Sequence, residues 1–288
     1  MKLSNKIKKS FSLKDNNLLK IDSIAKFFIE IIDLEDLKNI QNFTSTKKIN
    51  FCTLGEGSNV VLPNLLNKVV IKISFNEMSI EDNLITVGAG KNWDDFVLWS
   101  LDNGYSGLEN LSGIPGSIGA APIQNIGAYG SEVSDFIEEV ICFDMESNNL
   151  VSFTNEDCNF SYRQSIFQDN DSLIVVKVIF KLTKDFHPNL EYEDLNSLKA
   201  EEISPFIIRK HILKIRKAKI SDPKEHPNVG SFFKNPIISL DELEKIKQTL
   251  PSIKFYSYID NKVKISAAFL IESLNLKGFK LNNARAVS

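Results

Sequence analysis

The 288-residue chain has few of the side chains that most often bind metals or form cross-links: three histidines, three cysteines and three methionines. Cys52, Cys142 and Cys158 form no CxxC pair and show no metal-ligand spacing. An odd, unpatterned set of this kind excludes a disulfide framework and points to reduced thiols in a cytoplasmic protein. His187, His211 and His226 have no ligand partner at suitable spacing, so no metal is expected, and His211 falls on an otherwise apolar helix face as a structural residue would. A charge excess is also missing. Thirty-four Lys and Arg against 37 Asp and Glu leave a formal net charge of −3, no footprint for nucleic acid. No uncharged apolar run approaches the roughly 20 residues that a membrane-spanning helix needs. The basic start, Met1 to Lys9, is followed by no apolar stretch of the signal-peptide kind. Internal repeats and low-complexity segments are absent as well.

Glycine is scarce everywhere but in one place. Eleven of the 13 glycines lie between Gly55 and Gly130, the next 99 residues contain none, and Gly230 then stands directly before Ser231. Glycine is tolerated where the backbone takes positive φ or lets a ligand come close, and it costs stability inside helices and strands. The densest part, Gly107 to Gly130, holds six glycines and two prolines, is otherwise small or apolar, and has Glu109 as its only charge. A disordered linker carries more charge and less apolar surface. A buried, irregular loop system around a cofactor fits this composition better.

Periodicity predicts a helix capped by Ser23 and carrying Ile24, Phe27, Phe28 and Ile31, then strand, glycine turn and strand over Phe51 to Val61. Short strands are predicted at Val69 to Ser74 and Leu84 to Val87, and a helix over Trp93 to Leu101 ended by Asn103-Gly104. Phe136 to Phe143, Leu150 to Phe153 and Leu173 to Leu182 read as strands, with a short helix after the Thr154-Asn-Glu-Asp157 capping box. Beyond about residue 184 the texture turns helical. Ser204-Pro205 opens a helix, Ser239-Leu-Asp-Glu242 is a second capping box, and Ser266 to Leu274 is a helix that Gly278 closes. A domain boundary is therefore expected within 184–203.

Four segments are candidates for chemistry. Gly55-Glu-Gly57-Ser58-Asn59 offers a nest of N–H groups with the donors of Ser58 and Asn59, suited to a phosphate, although a plain hairpin turn accounts for it equally well. It is not a dinucleotide fingerprint, since Val60 stands where the third glycine belongs, and Gly88-Ala-Gly90 fails likewise at Trp93. Gly113-x-x-Gly116-x-x-Gly119 is followed by no Gly-Lys-Ser/Thr and reads as a cofactor clamp. Tyr162-Arg163-Gln-Ser165 supplies an arginine able to hold a carboxylate or phosphate by two parallel hydrogen bonds, although a lone arginine is most often a surface charge. Val229-Gly-Ser231-Phe-Phe-Lys234-Asn235-Pro236 could present the Ser231 hydroxyl in a cleft, or simply begin a strand at a turn.

Taken together, Gly55-Glu-Gly-Ser-Asn-Val60, Gly107-Leu-Glu-Asn-Leu, Ile114-Pro115-Gly116, Pro122-Ile-Gln124-Asn125-Ile-Gly127-Ala128-Tyr129-Gly130, Tyr162-Arg-x-Ser-Ile-Phe and Gly230-Ser-Phe-Phe-Lys-Asn-Pro resemble, in order, the UDP-N-acetylenolpyruvoylglucosamine reductase family. The resemblance implies an α+β chain: a PCMH-type (vanillyl-alcohol-oxidase-like) FAD-binding domain over 1–184 split near 68, an inserted segment over 185–202, and a substrate domain over 203–288. It implies non-covalent FAD held by Gly55, Gly57, Ser58, Asn59, Val60, Gly113, Ile114, Pro115, Gly116, Gly119, Ala120, Gln124, Asn125, Gly127 and Ala128. A flavin tethered covalently, as in oxidases of the same fold, would need a His or Cys in the Gly113–Gly130 loops, and none is there.

The reaction implied is reduction of the enolpyruvyl double bond of a UDP-sugar by NADPH through the flavin, for peptidoglycan precursors, by a cytoplasmic monomer. Arg163 matches the residue holding the substrate carboxylate and Ser231 the proton donor, with Lys219 and Lys234 as neighbours able to polarise it. Tyr129, Tyr162, Lys219, Asn235 and Tyr256 match positions that line the substrate, and Tyr192 matches the tyrosine of the inserted segment. In the family the chain continues beyond Lys277-Gly-Phe to a catalytic glutamate, whereas here the sequence ends at Ser288 and the last acidic residue is Glu272. An incomplete substrate domain is thus expected, and the alternative function is a flavin-binding remnant with little turnover.

Overall fold

Apolar residues of the first 73 positions form a four-stranded sheet. A computed structural model describes residues 3–200, 202–282 and 284–286. Strands β1 (Lys8–Ser12), β2 (Ile24–Ile31), β3 (Phe51–Thr53) and β4 (Leu65–Ile73) lie in the order β1-β2-β4-β3, with β1 antiparallel to β2 and both β2 and β3 parallel to β4. Between β2 and β3 runs helix α1 (Leu34–Lys47), capped by Asp33, whose carboxylate accepts the Asp36 N–H at 2.8 Å.

Two sequence expectations fail here. Residues 24–31 are a strand, not a helix. β2 packs residues on both faces, Phe28 and Ala25 against Leu13 and Val70, Ile29 and Ile31 against α1, with Ile24, Lys26 and Glu30 left exposed. A strand packed on both faces reads as a nearly continuous apolar run, and helical spacing can be picked out of it. Ser23 caps nothing; its buried hydroxyl donates to Pro63 O at 2.7 Å. The second expected strand near Val60-Val61 is instead part of an irregular segment from Leu54 to β4.

An antiparallel five-stranded sheet follows, with strands β5 (Met78–Glu81) and β6 (Leu84–Gly88), helix α2 (Trp93–Asp102), the short hairpin β7 (Gly127–Ala128) and β8 (Ser131–Glu132), and strands β9 (Ile137–Asp144), β10 (Asn149–Thr154) and β11 (Leu173–Lys181). The sheet order is β10-β9-β11-β6-β5. Trp93 and Phe96 of α2 bury themselves against Phe180 of β11, and the Trp93 indole N–H donates to Leu111 O at 2.9 Å, which ties the glycine-rich loops to the core. Residues 154–157 do form the reciprocal Thr154–Asp157 hydrogen bonds of a cap, but only a turn follows, because the chain must double back to Ser165. The three thiols are free, and burial pushes Cys158 up to about 12.

Helix α3 (Pro205–Lys219) starts as expected at Ser204, whose hydroxyl accepts the Ile207 N–H. Its Ile208 and Ile212 pack on Leu195 and Leu198, and Arg209 grips Asp94 of α2 through two hydrogen bonds of 2.6 and 2.8 Å. By contacts the chain divides into one unit of 1–217 with 222–229 and a second of 218–221 with 230–288. Most of α3 therefore groups with the first unit, whereas the sequence reading placed 203 onward in the second domain. The Arg209–Asp94 fork is the physical reason.

The second unit contains strand β12 (Ile237–Ser239), helix α4 (Leu240–Thr249), strands β13 (Phe255–Ser257) and β14 (Lys262–Ile265), helix α5 (Ala267–Ser273) and a small hairpin, β15 (Lys280–Leu281) with β16 (Ala284–Arg285). The three-stranded sheet has the order β12-β14-β13, and the expected capping box at Ser239–Glu242 is present. Ser266 caps α5, but Asn275, with φ of 55°, ends it; Gly278 serves the following hairpin by donating to Ala286 O. Among the described residues no helix is long and apolar enough to cross a membrane.

Candidate functional site

The glycine-rich segments converge in the first unit. Gly119 lies so close to Ala89 that a Cβ would come within 2.7 Å of the alanine Cβ, and a Cβ on Gly55 would stand 3.1 Å from Ser117 Oγ. Gly57 takes φ of 63° against the main chain of Asn16 and Asn17, where no other residue fits. Ser58 Oγ donates to Pro115 O at 3.0 Å, and the Asn59 amide donates to Gln124 Oε1 at 2.7 Å. The donors that the sequence reading offered to a phosphate thus clamp one loop to the other. Val60 and Ile114 turn their side chains into apolar clusters, so only their main chain is available.

What the clamp presents is backbone. The N–H groups of residues 55–60, Gly116 and Ser117 donate to no other group among the described residues, and Gly57, Gly116 and Ser117 are buried. Buried N–H groups are rarely left unpaired. Successive N–H groups in a glycine turn make a concavity of positive potential that suits an anionic diphosphate. At Gly116, with φ of 142°, a Cβ would meet only Ser58 Oγ at 3.3 Å, so the backbone can be approached from that side. These features fit the diphosphate of a dinucleotide cofactor such as FAD. Gly55, Gly57, Ser58, Asn59, Pro115, Gly116, Gly119, Ala120 and Gln124 are brought together in this way.

Asn125, Gly127 and Ala128 belong to an adjoining turn. The Asn125 side chain, 1% exposed, donates to Glu132 Oε2 and Ser161 O and accepts from the Ser134 N–H, so it is a structural hub. Arg163 sits in a tight turn between Ser161 and Gln164 with φ of 57°. Its guanidinium donates to Asn125 O at 3.1 Å, to Gly127 O, and to the Glu132 carboxylate at 3.3 Å, and it lies 5.0 Å from the Tyr162 ring. A half-buried guanidinium with its plane set by two carbonyls is pre-oriented for two-point recognition of a carboxylate. Glu132, the counter-charge of Arg163, went unnoticed in the sequence because only the fold brings the two together.

Tyr129 and Tyr192 also meet, with ring centroids 5.3 Å apart and planes at 84°. Arg216, seven residues after Arg209 on α3, lies against Gly113 and bonds Tyr129; burial pulls its guanidinium below the ordinary arginine value. The spacing of seven was the signal that both arginines share the packed face of α3. His211 Nε2 donates to Asp194 O, 3.1 Å away, in keeping with a structural role.

The remaining candidates lie in the second unit. Ser231 is exposed and follows Gly230 at φ of 67°. Lys219 and Lys234 are exposed, and Tyr256 sits on β13 opposite Lys264. The Asn235 side-chain oxygen accepts the Ala267 N–H at 3.0 Å, which fixes it to the start of α5. Among the described residues no group of three or more His, Cys, Asp or Glu is arranged to hold a metal.

The fold and the backbone cradle define a protein of the PCMH-type FAD-binding class, and residues 25–148 match the family profile described as FAD binding domain. Residues 222–288 match the UDP-N-acetylenolpyruvoylglucosamine reductase C-terminal domain. The chain is 40% identical to the UDP-N-acetylenolpyruvoylglucosamine reductase of Flavobacterium johnsoniae, over 96% of this chain and 86% of that one. It is 38% identical to that of Polynucleobacter asymbioticus, over 96% and 83%. The crystal structure of the Thermus caldophilus reductase superposes with a TM-score of 0.66 at 25% identity, covering 96% of this chain and 82% of that one. The chain belongs to the UDP-N-acetylenolpyruvoylglucosamine reductase family.

Proposed function

We propose that the protein is a cytoplasmic, monomeric, NADPH-dependent flavoenzyme that reduces the enolpyruvyl double bond of UDP-N-acetylglucosamine enolpyruvate to give UDP-N-acetylmuramate for peptidoglycan. The observation that carries this reading is the pairing of a cradle of unspent backbone N–H groups with a pre-oriented arginine on the neighbouring turn. FAD, bound in that cradle, supplies the hydride chemistry between NADPH and the substrate. The chain's own residues then have three tasks. Arg163 holds the substrate carboxylate, beside which negative charge builds as the double bond is reduced; a pre-placed donor of this kind contributes roughly 3–4 kcal/mol to the transition state. Ser231 delivers the proton to the carbon next to the carboxylate and recovers it from solvent. A serine hydroxyl is a weak acid, so Lys219 or Lys234 is assigned to polarise it. Tyr129, Tyr162, Tyr192, Asn235 and Tyr256 line the substrate.

The purified protein should be yellow and should release FAD on heat denaturation. A preparation that is colourless and takes up no added FAD would overturn the cofactor assignment. Arg163→Lys keeps the charge and loses the fork. Stopped-flow traces should show flavin reduction by NADPH nearly unchanged and reoxidation by the UDP-sugar slowed by about 10²-fold. Equal loss in both half-reactions would make Arg163 a structural residue instead.

A further inference from the structure

Asn110 is 2% exposed and belongs to neither the cradle nor the arginine turn. It lies in a short 3₁₀ turn, Leu108–Leu111, anchored to the core through the Trp93–Leu111 hydrogen bond. Its single amide nitrogen donates twice, to Tyr129 O at 2.8 Å and to Asn189 O at 2.9 Å. Asn189 in turn donates from its side chain to Gly130 O at 3.0 Å and accepts the Glu191 N–H. Two asparagines therefore join the tip of the β7–β8 hairpin to the segment that carries Tyr192.

Both joined parts are placed where such a tie acts. Tyr129 and Gly130 form a two-residue hairpin loop with φ of 50° and 81°, a conformation that Asn and Gly adopt readily and a tyrosine does not. The segment around 183–189 borders an open groove of about 420 Å³ lined by Ser106, Glu109, Asn110, Asp185 and Asn189; Ser106 holds Thr183 O and Asp185 O, and Phe186 with the following Leu190 and Tyr192 packs on the Leu195, Leu198, Ile208 and Ile212 cluster. Tyr129 and Tyr192 both pack on that cluster, and the two asparagines fix the register of the backbones that carry them.

We propose that Asn110 is a positioning residue: its amide orders the Tyr192 segment on the Tyr129 hairpin before substrate arrives and so sets the affinity for the nucleotide sugar. This rests on the reading that the two tyrosines line the substrate. The test uses the FAD-loaded full chain with Asn110→Ala, Asn189→Ala and Tyr192→Ala. In the absence of substrate, backbone hydrogen exchange over 186–198 should quicken in both asparagine variants, the Leu195 amide bonded to Tyr192 O included. KM for the UDP-sugar should rise about 10-fold to 30-fold in Asn110→Ala and less in Asn189→Ala, since the first loses both bonds that join hairpin and segment through its amide and the second only one bond to the hairpin, its other bond being local to Glu191. Flavin content and the rate of flavin reduction by NADPH should hold steady; a fall in either would mark a general structural role and overturn the proposal. Unchanged exchange in both variants would overturn it too. Quickened exchange without a change in KM, while Tyr192→Ala raises KM, would show that the latch does not serve binding. If Tyr192→Ala leaves KM unchanged as well, the substrate-lining reading itself fails, and the positioning role falls with it.

Discussion

The two units are built in opposite ways. Residues 1–217 build the cradle from main chain: glycines pressed against neighbouring backbone, turns at positive φ, and N–H groups that meet no acceptor among the described residues, all backed by large buried clusters around Trp93, Phe96 and Phe180. Residues 230–288 carry their candidate side chains on exposed segments over a small core of Leu243, Ile253, Val263 and Ile265. Backbone recognition depends on the path of the chain, so it requires a rigid, well-packed scaffold and is damaged by any added atom. Side-chain chemistry asks only that one group be in place. A substitution in the cradle's main chain should therefore act on folding and cofactor, and one at a candidate side chain, Arg163 in the first unit or Ser231 in the second, on rate.

Ser231→Ala offers the largest expected effect. As the loss of a general acid it should slow reoxidation of the flavin by the UDP-sugar by ~10²–10⁴-fold, leaving melting temperature and flavin content as they were. A matching loss of flavin would erase the contrast between the units.

In the first unit, Gly90→Ala would place a Cβ 2.5 Å from Ser74 Cα and 2.8 Å from Ile73 O, both main chain that cannot yield cheaply. A cost of about 3 kcal/mol or more is expected, seen as a melting temperature lower by roughly 10 °C with loss of bound flavin. The companion in the second unit is the smallest effect. Gly230→Ala meets nothing within 4 Å and suffers only its φ of 67°, at about 1 kcal/mol. Equal losses in the two variants would show that chain path matters as much around Ser231 as in the cradle.

Between these lies Asp94. Burial works to raise its carboxyl, but the Arg209 fork, the Gly113 N–H and nearby Arg216 outweigh burial and hold it below the ordinary value. A pKa lowered in the folded state stabilises the fold above the unfolded value and loses that contribution as pH falls through the folded one. Asp94→Asn should therefore cost about 2 kcal/mol near pH 7. The gap to the parent protein should close as the pH drops through about 4 and below, read by denaturant titration at each pH.

The candidate segments are marked in the sequence itself, for a physical reason. Glycine crowding, the Arg163 turn and the Gly230-Ser231 pair are local signals, because a backbone conformation or a single reactive group writes itself into adjacent residues. Helices with explicit caps, such as those starting at Ser204, Ser239 and Ser266, were readable on the same ground. Ser58 and Asn59 show the limit. Their type was right for a loop that faces an anion, but their hydrogen bonds run to Pro115 and Gln124, 57 and 65 residues away.

By itself, then, the sequence determined the family, the α+β class and the glycine-rich loops that form the cradle. Tertiary structure alone decided that residues 24–31 form a strand packed on both faces, that α3 belongs with the first unit through Arg209 and Asp94, that Glu132 balances Arg163, and that Asn110 spends both its amide hydrogens on Tyr129 and Asn189. Each of these is a pairing across a long stretch of chain. Neither residue of such a pair carries a mark of the other in its own neighbourhood, and only the packed sheets and turns bring the partners within hydrogen-bond reach.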